Sequence, residues 1–75
     1  MQNKASLPEI TYEISFYDRH GVIDRVQQYT EEALARSILQ MFNEPDSAEL
    51  YSRITLTAHD WPSGIDTELA SLIFT

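Results

Sequence analysis

The chain has 75 residues, with twelve acids against five bases for a net charge of −7, two glycines and no cysteine. A chain this short makes one domain with one thin core, burying about 60% of its unfolded surface. Excess acid repels bare nucleic acid and anionic lipid, so direct phosphate binding is disfavoured, and the absence of cysteine excludes a disulfide framework, a thiolate nucleophile and a Cys-ligated zinc. The hydrophobic fraction of 43% is that of a folding sequence, not a disordered one.

Met1 to Pro8 is polar, lacks the apolar centre of a secretory signal and is expected to be a flexible N-terminal segment, with residues 9–75 forming the domain. No apolar run is long enough to span a membrane, which makes a cytoplasmic location the expectation. Residues 9–17 then alternate strictly: Ile10, Tyr12, Ile14 and Phe16 on one face, Thr11, Glu13, Ser15 and Tyr17 on the other. That period of two is the signature of a half-buried strand. Asp18-Arg19-His20-Gly21 follows as a hairpin loop, with an acid to open the turn and a glycine free to take positive φ at its close. Val22 to Tyr29 continues as a second strand with the more polar pattern of an edge.

Thr30 is placed to cap a helix whose first turn holds Glu31 and Glu32, where the backbone dipole favours negative charge. Leu34, Ile38, Met41 and Phe42, with Ala35 and Leu39, recur at helical spacing and predict the buried face, while Glu32, Arg36, Gln40 and Asn43 face away. Pro45 stops this helix, and Asp46 to Leu50 can add a short further turn. Arg53 to Ala58 reads as a third strand, burying Ile54, Leu56 and Ala58. His59 to Gly64 reads as a loop carrying the only tryptophan. In the last run, Glu68 to Phe74, the alternation puts Ala70, Leu72 and Phe74 on one side and Leu69 and Ile73 on the other, so it is apolar on both.

The elements therefore run strand, strand, helix, strand, strand. This predicts an α+β domain with a mainly antiparallel four-stranded sheet in the order 2-1-3-4 and one helix packed on one face. The second face is left to water or to a partner.

A catalytic constellation is not visible. The serines stand in no nucleophile elbow, and two glycines cannot build a phosphate-cradling loop. His20-Asp18 and His59-Asp60 could supply a mixed His and carboxylate metal site only if their two turns met, and solvated turn histidines are the commoner case. No catalytic residue, metal or cofactor is expected. Tyr and Trp, by contrast, are enriched as interface anchors, and carboxylates can occupy a basic, nucleic-acid-binding surface on another protein. The expected function is accordingly a non-enzymatic acidic protein-binding module, an inhibitor or adaptor for a partner with a basic surface, with Tyr17, Asp18, Glu31, Glu32, Asp60 and Trp61 as its contact residues. Small acidic inhibitors of phage and mobile elements are the analogy by size and charge. The alternatives are a self-associating homodimer held by Leu69, Ile73 and Phe74, and a minimal metal-dependent enzyme.

Overall fold

A computed structural model describes residues 8–75. Four strands and two helices follow in the order β1 (Ile10–Asp18), β2 (Ile23–Tyr29), α1 (Glu32–Met41), α2 (Pro45–Leu50), β3 (Tyr51–Asp60) and β4 (Ile65–Ile73). All neighbours in the sheet are antiparallel and the order is β2-β1-β3-β4, so the small α+β architecture and strand order expected from the pattern are present. The flexibility expected of residues 1–8 falls outside the described residues, apart from Pro8. Among the described residues no helix is long and apolar enough to cross a membrane.

Alternation along β1 and β3 builds the core. Ile14 and Phe16 from β1 meet Ile54 and Leu56 from β3, and Ala35 and Leu39 of α1 close over them; all six are buried. Phe16 lies at the centre. Its ring meets Phe42 edge-on at 4.9 Å between centroids and Tyr51 at 5.2 Å, and the Arg25 guanidinium covers it at 4.2 Å. Arg25 is the direct cross-strand neighbour of Phe16, so a charged residue on an edge strand lids the core by cation–π contact while its head stays in water.

The helix differs from its sequence pattern in three ways. Its N-cap is Glu31, without a side-chain cap bond, because the helix begins one residue later than Thr30 could cap; Glu31 contributes its carbonyl to the Ala35 N–H. Its buried stripe is 35, 38, 39 and 42, leaving Met41 72% exposed and Leu34 outside, since one short helix on a sheet buries a narrower arc than six apolar positions can fill. It also ends at Met41, four residues before the proline, and Pro45 instead opens α2 as its first residue, where its missing N–H costs nothing.

The final strand is longer than its pattern suggested and carries a bulge. Leu56 faces Ala70 while Thr57 faces Glu68, so Leu69 is the extra residue. The bulge breaks the alternation, and Leu69 packs against the same core as Ala70, Leu72 and Phe74 instead of facing the opposite side. With β4 at the sheet edge, only Ile73 of this run's apolar residues points to the second face.

Candidate interaction face

The face of the sheet opposite α1 is laid out in rows by the strand register. One end row reads Ile23, Tyr17, Arg53, Ile73 across β2, β1, β3 and β4. Next come Val26, Ser15, Thr55 and Ser71; then Gln28, Glu13, Thr57 and Glu68; and at the far end Thr11, His59 and Asp66. Directly opposed residues share a face, so each row is a line of side chains perpendicular to the strands.

The two ends are built differently. At the first, the Arg53 guanidinium lies 4.1 Å from the Tyr17 ring centroid, flanked by exposed Ile23, Val26 and Ile73. At the other, Trp61 folds back from the β3–β4 turn. Its Nε1–H donates to Thr11 Oγ1 at 2.9 Å, its ring meets His59 edge-on at 4.3 Å, and its backbone N–H extends the β1–β3 ladder to the Glu9 carbonyl at 2.8 Å. His59 Nδ1 is paired in turn with Asp66 Oδ1. Trp61 is thus 54% exposed and belongs to this face, not to the core. Between the ends the floor is small and hydroxylic: Thr11, Ser15 and Thr55 are buried under longer neighbours although no helix among the described residues covers them.

Charge on this face is mostly negative. Glu13 and Glu68 flank Thr57 in one row, and two strand spacings separate them by about 10 Å. Asp66 lies beyond them on β4. Glu13 also accepts a hydrogen bond from Gln28 Nε2 at 3.0 Å, which aims its carboxylate along the row.

The residues expected to contact a partner divide between opposite ends of the sheet. Tyr17 and Asp18 are at the β1–β2 end, whereas Asp60, Trp61, Glu31 and Glu32 are at the end where β3 finishes and α1 begins. Asp18 is occupied internally. Its Oδ1 accepts from the backbone N–H groups of His20 at 2.8 Å and Val22 at 3.0 Å, while its carbonyl accepts from Gly21, whose φ is 80°. The Val22 N–H, aided by those of His20 and Gly21 and by the nearby imidazole of His20, holds this carboxyl below its ordinary range, against a smaller desolvation effect. Glu32 is paired with Arg36 at 2.7 Å along the helix, and Glu31 is exposed beside it. The Asp60 carbonyl accepts from the Gly64 N–H at 2.7 Å, closing the turn that presents Trp61. Tyr29 lies on the helix side, packs on the core and donates its hydroxyl to Gln27.

The two histidines are at opposite ends of β1, His59 opposed to Thr11 and His20 in the turn after Asp18. Their turns therefore do not meet, and among the described residues no group of three or more His, Asp or Glu is placed to hold a metal. Missed by sequence reasoning were Arg53, the partner of Tyr17, and the trio Thr11, His59 and Asp66 that seats Trp61. Their alternation placed Arg53 and Thr11 on the outer face, but only the register brings them beside the aromatics. No family model, curated protein or solved structure matches this chain.

Proposed function

We propose that this chain is a non-enzymatic acidic protein-binding module, an inhibitor or adaptor whose partner presents a basic surface. The observation that carries it is the sheet face that no described element covers, with Tyr17 and Trp61 anchored at its two ends and Glu13, Glu68 and Asp66 on or beside the hydroxylic floor between them. Both aromatics are held in place within the free protein, Tyr17 by Arg53 and Trp61 by Thr11 and His59, so binding need not order them. The net charge of −7 accelerates encounter with a cationic surface and disfavours nucleic acid or anionic membrane as the direct ligand. The size and charge are those of mobile-element inhibitors that cover nucleic-acid-binding surfaces, an analogy that names a class of partner and no more.

The test is capture of a basic protein from the native host on the immobilised chain, followed by titration of the purified pair. Affinity should fall steeply as salt rises, and joint Glu13→Lys and Glu68→Lys substitution should weaken it at least tenfold. If Glu31→Lys and Glu32→Lys weaken it instead, the contact lies at the helix end. A complex insensitive to salt and to both pairs of reversals would remove the electrostatic mechanism.

A further inference from the structure

We infer that two copies of this chain join through the C-terminal half of β4, in a single antiparallel register with its twofold axis at Leu72. This does not depend on the proposed function, because it concerns the purified chain alone. The Phe74 N–H donates to the Ser52 carbonyl at 2.9 Å, which makes those two a hydrogen-bonded pair. Alternation in an antiparallel ladder then turns the backbone groups of Leu72 toward β3 and those of Ser71 and Ile73 outward. Being on the last strand of the sheet, those outward groups have no partner strand within the described fold.

The two halves of β4 differ. Ile65 to Glu68 carries Asp66 and Glu68 and ends at the bulge, both of which guard an edge against pairing. From Leu69 to Phe74 there is neither charge nor proline, and Ile73 is 71% exposed. The other edge, β2, is interrupted by Asp24 and Arg25. A second copy is the occupant that suits this segment because its own charge selects the register. Sliding the pair toward Glu68 would set like charges opposite each other, and centring it on Ser71 would run Ile73 into the bulge at Leu69. Centring it on Leu72 opposes Ser71 to Ile73 of the second copy and Ile73 to its Ser71, so the outward N–H and C=O groups of both residues are satisfied. Leu72 then faces its own equivalent on the helix side of the sheet, and the acids stay clear of the seam.

The experiment is sedimentation velocity of the full chain at low-micromolar and near-millimolar concentration, with residue-resolved amide exchange on the same samples. The expected result is a monomer that becomes a dimer with concentration, more readily at high salt because the copies share a charge of −7. Exchange of Ser71 and Ile73 should slow as the dimer forms, while Leu72 is protected throughout. Ser71→Pro removes an outward N–H without breaking the β3 ladder, and Ile73→Lys puts a cation at an exposed seam position; each should abolish the dimer. A monomer at near-millimolar concentration, or a dimer in which Ser71 and Ile73 still exchange freely, would overturn the inference. So would a dimer that survives both substitutions.

Discussion

Phe16 and Tyr17 are adjacent in sequence and point to opposite faces of β1, so truncating each in turn separates what holds the fold from what the fold presents. Phe16 is fully buried and ringed by Phe42, Tyr51 and Arg25. A phenylalanine-to-alanine change at such a site costs about 3–5 kcal/mol in lost transfer energy and cavity formation. At roughly 0.05–0.15 kcal/mol per residue, a chain of this length is stable by only about 4–11 kcal/mol, so Phe16→Ala should remove between about a quarter and all of that stability. Tyr17 is half-buried, and its specific partner is one guanidinium at 4.1 Å on an exposed face, worth about 0.5–1 kcal/mol. Tyr17→Ala should therefore leave a folded protein with its urea midpoint lowered by about a quarter or less of the wild-type value. Urea titration followed by far-UV circular dichroism measures both, and Trp61 fluorescence gives an independent trace from the outer face. Equal losses at the two positions would refute the one-sided sheet and with it the availability of the second face.

Two further outcomes follow from the turns that bound this face. Because the folded-state pKa of Asp18 is lowered, its ionised form contributes stability that is fully present above the unfolded value of about 3.9 and is lost as pH falls through the folded value. The stability difference between wild type and Asp18→Asn should accordingly be constant near neutrality and shrink in acid, as urea midpoints at a series of pH values would reveal; a difference that grew in acid would contradict the assigned role. Trp61→Phe keeps an aromatic ring but removes the donor to Thr11, whose side chain is largely buried, and should cost about 1 kcal/mol. Thr11→Val in the Trp61→Phe background should then cost little more, and a fully additive double mutant would show that the bond contributes nothing.

Strand identities and order were legible because alternation is enforced by burial on one face, and Ile14, Phe16, Ile54 and Leu56 all obey it. The helix was legible as an element but not in its orientation. Six apolar positions in α1 spread over more of its circumference than a sheet can cover, and nothing in the spacing tells Ala35 from Leu34 as the one that meets the core. The bulge at Leu69 was hidden for a different reason. It is a property of the β3–β4 register, and a lone strand pattern reports only its own period. Trp61 depended on the same long-range information, since its seat on Thr11 joins positions fifty residues apart.

The composition of the open face constrains how it can be used. A face built to pack against another apolar sheet would carry branched hydrophobics at its centre, as the helix side does with Ile14 and Leu56. Here the corresponding central positions are Ser15, Thr55 and Thr57, with apolar side chains confined to the row of Ile23 and Ile73 and to Val26 beside it. Burying that centre against a hydrophobic surface would strand hydroxyls and the neighbouring carboxylates of Glu13 and Glu68 without partners, at a cost of kilocalories per group. A partner that supplies hydrogen-bond donors and positive charge avoids this cost, and Tyr17 and Trp61 contribute the apolar contact area at either end. The outward backbone edge of the uncharged half of β4 lies in the plane of the sheet, so pairing there extends the open face across two copies without covering it.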